Sequence, residues 1–395
     1  MLPVGARYRA LFAHAGVVRL AALSLGMRMP LGTLALATLL HLRELTGSIA
    51  FAGSAVGAQF VAGALTSPIL GRLVDRRGPR GVLLATGSVC PLAFAVMMAA
   101  GDLALSKPAL LAVAIVVGAF APPLTVLIRT LWRTRLADPD ERRSAFALDA
   151  VILELAYTIG PALIAVVVAV ATPFAAMAVA LVFVVLAVPL MFVSGALAWW
   201  APPPPAERHF AGPLTDRRLL VLYAATFTLT MAFGALEVGY PGLGRAAGAD
   251  AWGPALIAVS SLGSAIGGLA YGGLHLRTPL ARQLPVVMGA MAVPLALHLA
   301  IADPLALAPV AFLAGMMIAP AMTVVSLLVS DFAPPKYATE AFTWSATAII
   351  TGLGAGMSIT GVLVERYGPN GAFAWASASA LCAAGLALAI RRMRG

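Results

Sequence analysis

Charge is what this chain has least of. Only 11% of its 395 residues are Asp, Glu, Lys or Arg, while 61% are hydrophobic and the mean hydropathy is +0.95. Soluble domains carry roughly 25% charged residues, so this composition cannot supply a water-facing coat, and a soluble globule is excluded. Cysteine is nearly missing. Cys90 and Cys382 lie in apolar runs in different halves, which leaves no disulfide framework and no metal-ligand spacing. His14, His41, His209, His275 and His298 are scattered, so no metal site is expected from them either. There is no glycine-rich phosphate loop and no nucleophile elbow. Enzyme chemistry, ATP hydrolysis and a bound cofactor are therefore not expected. A net charge of +10 would suggest nucleic acid in a soluble protein, but here it has a topological origin, and no nucleic-acid partner is expected.

What the chain has instead is apolar runs of about 20 residues, the length of spanning helices rather than barrel strands. Twelve can be placed, over residues 17–42, 48–70, 81–100, 109–131, 144–171, 173–200, 219–243, 251–273, 284–301, 305–330, 339–364 and 371–390. Residues 1–15 carry Arg7 and Arg9 and read as a cytoplasmic lead, not a signal peptide. Pro202 to Pro205, Glu207, Arg208, His209, Asp216, Arg217 and Arg218 form a stiff polar linker. This predicts an all-α integral membrane protein with bundles over 1–200 and 219–395 and a cytoplasmic linker over 201–218. With both ends inside, the Lys and Arg residues sort by side. All 26 fall on inner segments except Arg43, Lys107, Arg245 and Arg366 outside and Arg28 within the first helix. That is the positive-inside bias.

One stretch organises the rest: Gly71-Arg72-Leu73-Val74-Asp75-Arg76-Arg77-Gly78-Pro79-Arg80. So dense a charged cluster cannot sit in hydrocarbon, so it is a tight loop at the inner membrane surface. It resembles the signature loop between the second and third helices of the major facilitator superfamily, Gly-x-Leu-x-Asp-Arg-x-Gly-Arg-Arg/Lys. Gly71, Leu73, Asp75, Arg76, Gly78 and Arg80 match, whereas Pro79 replaces a basic residue and Arg77 an aromatic. The resemblance implies the fold of that superfamily, two six-helix bundles rocking about a midplane site. It also implies a cytoplasmic latch, with Asp75 facing Lys336 or the free N–H groups of Tyr337 to Glu340. Arg76 and Arg80 would then pair with Asp138, Asp140, Glu141 or Asp149, and Gly71 and Gly78 would permit close approach and a turn. A plain topological anchor is the alternative, though an anchor has no need of an aspartate.

An internal repeat supports the two-bundle reading. At an offset of 196, Gly71, Ala145, Phe146 and Gly160 fall on Gly267, Ala341, Phe342 and Gly356. At 197, Gly118 and Pro123 fall on Gly315 and Pro320. The second copy of the loop has lost its charges, with Tyr271 and Gly272 in place of Asp75 and Arg76.

Few polar residues interrupt the helices, and each is a candidate. Arg28, mid-way along the first helix beside Pro30, needs a partner or water. It could bind an anionic substrate group or pair with a carboxylate of its own bundle. Glu154 in the fifth helix, followed by Tyr157, Thr158 and Gly160-Pro161, could take up and release a proton, or pair permanently with Arg28. Asp149, nearer the inner surface, is a second proton candidate that could instead pair with a loop arginine. Glu237 in the seventh helix is a third, or an interfacial carboxylate. Phe227, Met231, Phe233 and Tyr240 form an aromatic and sulfur face on that helix, either cavity wall or packing. Substrate contact is expected from Arg28, Tyr157, Phe233 and Tyr240.

Gly160-Pro161 partly resembles the antiporter signature of the superfamily's fifth helix. The resemblance to bacterial efflux permeases implies proton-antiport export of a small organic molecule. The partners are then substrate, protons and membrane lipids. The protein would be a monomer in a bacterial inner membrane, with both termini cytoplasmic. Proton-coupled uptake of an organic anion clamped by Arg28, or a non-transporting sensor or assembly factor on the same fold, are the alternatives.

Overall fold

The computed structural model describes residues 4–202, 209, 211–249 and 252–393. The linker residues Pro203, Pro204, Pro205, Glu207 and Arg208 lie outside that description, as does the start of the eighth expected helix at Ala251. After a short lead, α1 (Val4–Ala13), the first six spans are α2 (Val17–Thr46), α3 (Ile49–Arg77), α4 (Pro79–Met98), α5 with α6 (Lys107–Ala119, Leu124–Arg135), α7 (Pro139–Val170) and α8 (Pro173–Ser194). The second six are α9 (Arg217–Ala246), α10 (Trp252–Gly273), α11 (Leu280–Leu297), α12 with α13 (Pro304–Gly315, Ile318–Phe332), α14 (Ala338–Tyr367) and α15 (Pro369–Arg392). All twelve spans are long and apolar enough to cross a membrane. The chain is an integral membrane protein of two six-helix bundles.

Two spans expected as single helices, 109–131 and 305–330, are broken. The first unwinds at Phe120 to Pro123, where two successive prolines remove amide donors and disfavour a continuous helix. The second breaks at Met316 and Met317, just before Pro320. The two breaks fall at equivalent points of the repeat. The sixth expected helix also ends early, because Gly195 adopts φ 74° and turns the chain into a 3-10 segment, Ala196–Trp199.

The repeat is visible in the packing. Phe146 and Phe342, one repeat apart, meet with ring centroids 6.0 Å apart, so the approximate two-fold axis runs between them. Gly160 packs against the backbone of Gly32, and its equivalent Gly356 against the backbone of Met231. These are the small-residue contacts that let membrane helices approach closely.

Cross-bundle contacts cluster in the half of the molecule that carries the arginine-rich loops, here called the basic end. There α3 packs on α14 and α7 on α10. Towards the opposite end, a Cβ added at Gly53 or Gly57 of α3, or at Gly354 or Gly361 of α14, would meet nothing within 4 Å. The bundles are closed against each other at the basic end, and these four glycines make no such close contact farther along.

The packing predicts opposite effects for two glycines. A methyl at Gly315 would lie 2.7 Å from the Ser260 carbonyl carbon, so Gly315→Ala should cost about 1–3 kcal/mol and lower the melting temperature in detergent. Gly361→Ala, with open space around it, should gain up to about 1 kcal/mol from reduced backbone entropy and raise it.

Candidate functional site

The latch is built from a carboxylate and a helix start. Asp75 lies in the last turn of α3 and is 3% exposed. Its Oδ1 accepts from the Thr339 N–H at 3.0 Å and its Oδ2 from the Glu340 N–H at 2.8 Å. These amides are in the first turn of α14, where donors lack intrahelical partners and the helix carries partial positive charge. Gly71, one turn back, makes the approach possible, since a Cβ there would stand 2.6 Å from Thr343 Cγ2. Gly78 has φ 84° and turns the chain directly into α4. Arg76 and Arg80, expected to pair with acidic residues, instead lie exposed and enter no ion pair among the described residues, because they project from the loop into solvent.

The arginine that does cross is Arg72. Its Nη2 and Nε donate to Oε1 of the fully buried Glu340 at 2.5 and 3.2 Å. Further along the seam, Arg133 donates to the Ala333 carbonyl at 2.6 Å. Arg143 donates to the carbonyls of Leu274 and Leu276, and Arg7 to that of Leu274. His275 and Asp140 approach at 2.7 Å, and the Ser144 hydroxyl donates to the Gly272 carbonyl at 2.7 Å. Sequence reasoning missed Arg72 with Glu340, because nothing local pairs residues 268 positions apart.

Arg28 is 1% exposed and Asp149 2%. The guanidinium of Arg28 is bonded to Asp149 Oδ1, and Arg129 Nε donates to Asp149 Oδ2 at 2.9 Å. Three spans, α2, α6 and α7, are tied by this triad. It corrects two expectations. Arg28 does not face an open cavity as a substrate clamp, and Glu154 is not its partner. Asp149, offered as a proton site, is buried and has each carboxylate oxygen bonded to a guanidinium, which corrects that assignment.

Glu154 stands about 22 Å along α7 from its start at the basic end. It is half-buried and accepts from the Ser261 hydroxyl of α10 at 3.1 Å. The Thr158 and Ser261 hydroxyls are 3.3 Å apart. This is the far end of the α7–α10 seam. Tyr157, one residue from that contact, is 45% exposed, and Glu237 of the other bundle is exposed and within Coulombic reach of Glu154. Phe233 is half-buried against the core of its own bundle. Tyr240 is 1% exposed, with its hydroxyl 3.1 Å from His298 Nε2 and its ring against Phe373. It is a packing residue, which corrects its assignment as a substrate contact. The face expected on helix seven is split because α15 covers one side of α9. The structure thus brings Glu154, Tyr157 and Glu237 to one place and removes Arg28, Asp149 and Tyr240 from it. Ser261 was missed, since one serine in an apolar helix carries no signal of its own.

Two substitutions separate these roles. Asp75→Asn removes the charge from the α14 start, worth about 1–2 kcal/mol. It should favour opening of the basic end roughly five- to thirty-fold, read as a longer spin-label distance between positions 80 and 277. Unchanged distances would make Asp75 a static anchor. Asp149→Ala strands two buried guanidiniums at about 3–5 kcal/mol, so folded yield should collapse, whereas Glu154→Gln should leave it intact.

The sequence matches the family model of the Major Facilitator Superfamily over residues 20–349. No curated protein matches it. Among solved structures it resembles a bacterial homologue of the iron transporter ferroportin in an outward-facing state. Identity there is 13%, coverage is 95% of this chain and 99% of that one, and the TM-score is 0.77. It also resembles the human organic anion transporter MFSD10, with 19% identity, 93% and 99% coverage and a TM-score of 0.72. The E. coli fucose:proton symporter FucP is similar at 15% identity, 97% and 100% coverage and a TM-score of 0.67. With the family match spanning most of the chain, and twelve spans in two bundles meeting at a latched end, the chain belongs to the major facilitator superfamily and is a transporter, not an enzyme.

Proposed function

We propose that the chain exports a small organic molecule by proton antiport, as a monomer in the inner membrane of a bacterium, with the basic end cytoplasmic. In that orientation the structure is outward-facing, with Asp75 holding the cytoplasmic mouth shut. The observation that carries the reading is the position of Glu154. It is a half-buried carboxylate at the junction of the two bundles, bonded to Ser261 of the opposite bundle.

A hydrogen bond to a charged carboxylate is worth about 1.5–3 kcal/mol. Protonating Glu154 weakens that bond and loosens the far end of the α7–α10 seam. Proton binding is thereby linked to the rocking of the bundles, and the linkage runs in both directions. Glu237 supplies a second carboxylate, and Tyr157 and Phe233 supply aromatic surface for substrate. Two accessible carboxylates favour a substrate with a cationic group, which would compete with protons for the same site. Uptake of an organic anion is the weaker reading, because the guanidinium of Arg28 is committed to Asp149.

The test is transport in proteoliposomes with an imposed pH gradient, with candidate organic amines supplied on the side opposite the excess protons. A substrate should elicit proton flux read by an entrapped pH dye. Glu154→Gln should lower gradient-driven transport at least tenfold while leaving substrate exchange at equal pH. Ser261→Ala should have a smaller effect of the same kind. Full gradient-driven transport in both Glu154→Gln and Glu237→Gln would overturn the reading.

A further inference from the structure

We propose that the groove between α11 and α15 at the basic end is a binding site for an anionic phospholipid of the adjoining leaflet. This does not depend on the transport reading above. The groove has a volume of about 380 Å³ and is lined by Arg282, Pro285, Val286, Leu381, Ala384, Gly385, Leu388 and Arg391. Its two cations stand at one end, Arg282 in the first turn of α11 and Arg391 in the last turn of α15. Both are exposed, and neither enters an ion pair among the described residues. The remainder of the lining is apolar, and Val286, Leu381 and Leu388 are themselves exposed.

The dimensions fit a lipid. Leu381 lies ten residues before Arg391 on α15, so the apolar floor runs about 15 Å from the charged rim. That is half of a hydrocarbon core of about 30 Å, the depth of one leaflet. Gly385 keeps the floor open, since a Cβ there would meet nothing within 4 Å. A phosphodiester at the rim accepts charge-assisted hydrogen bonds from two guanidiniums, and its acyl chain covers the floor. A second groove at the opposite end is lined by Leu299, Leu363, Tyr367, Asn370 and Trp375 among others, with no cation in its lining. Of these two grooves only the one at the basic end carries cations, where basic pockets between spanning helices meet anionic headgroups.

The experiment titrates purified full-length protein in a non-ionic detergent with phosphatidylglycerol, phosphatidylcholine or inorganic phosphate, and reads binding by native mass spectrometry. Phosphatidylglycerol should bind, phosphatidylcholine should bind far more weakly, and millimolar phosphate should not displace the lipid. At about 1 kcal/mol per arginine, R282Q/R391Q should weaken phosphatidylglycerol binding roughly 30-fold. R217Q/R277Q, which removes two exposed arginines outside the groove, should change it less than about twofold. Gly385→Leu keeps both cations but fills the floor, and it should weaken lipid binding while leaving the melting temperature near the parent value. Undiminished binding in R282Q/R391Q or Gly385→Leu would overturn the proposal. Equal loss in R217Q/R277Q would do so too, since it would mean diffuse surface charge. Displacement by inorganic phosphate would reduce the site to a bare anion site and also overturn it.

Discussion

The two bundles depend on a carboxylate set against the start of a helix. At the first turn of α14, backbone donors face the seam where water is largely excluded, and leaving them unpaired would be costly. Asp75 satisfies two of them and brings charge of the favoured sign. The neighbouring contacts follow the same division of labour. The first bundle supplies charged side chains, and the second supplies helix ends together with a few side chains of its own, Glu340 to Arg72 and His275 to Asp140. Arg133 reaches the carbonyl at the end of α13, and Arg7 and Arg143 reach carbonyls just past α10. Cations there meet the partial negative charge of helix C-termini. The closed end is held by many such contacts, each of modest strength, and a seam of that kind can be undone during a transport cycle.

The two seams are related by the repeat yet differ in chemistry. Between α3 and α14 the contact is ionic. Between α7 and α10 the equivalent loop has Tyr271 and Gly272 in place of Asp75 and Arg76, and the helices pack closely there. Gly272 sits where a Cβ would lie 2.6 Å from Ala147 Cβ, and its carbonyl accepts from Ser144. The α3–α14 seam is thus centred on a carboxylate at a helix start, whereas the α7–α10 seam is close-packed along the helices, with its charged contacts of Arg143, Asp140 and His275 confined to the basic end. Glu154 adds a titratable group at the far end of the close-packed seam, where the ionic contacts do not reach.

Charge inside the first bundle is sorted by access to water. Arg28 and Arg129 are enclosed and both bonded to Asp149, so the triad holds three spans together. Burying them is tolerable only because each has a partner. Glu154, one and a half turns further along α7, keeps an accessible face. The same helix therefore carries one carboxylate committed to a buried ion-pair triad and one that is half-buried against the opposite bundle.

Much of this protein was legible in its sequence. Twelve apolar runs, the placement of arginine on one side and the Gly71 to Arg80 loop determine a twelve-span membrane protein of this superfamily, because hydrocarbon excludes charge and unpaired backbone wherever they lie. The docking of Asp75 on the α14 start was implied by the loop's resemblance to the superfamily's signature, which left Lys336 or the first amides of that helix as its partner, and the contact is with the amides of Thr339 and Glu340. Only the tertiary structure decided which charges meet. Arg28 with Asp149, Arg72 with Glu340 and Glu154 with Ser261 are set by the rotation of each helix about its axis, and small residues such as Gly32, Gly160 and Gly71 fix that rotation through contacts with distant backbone. Periodicity in an almost wholly apolar helix does not reveal its phase, so the line between a buried pair and an accessible carboxylate appears only once the helices are packed.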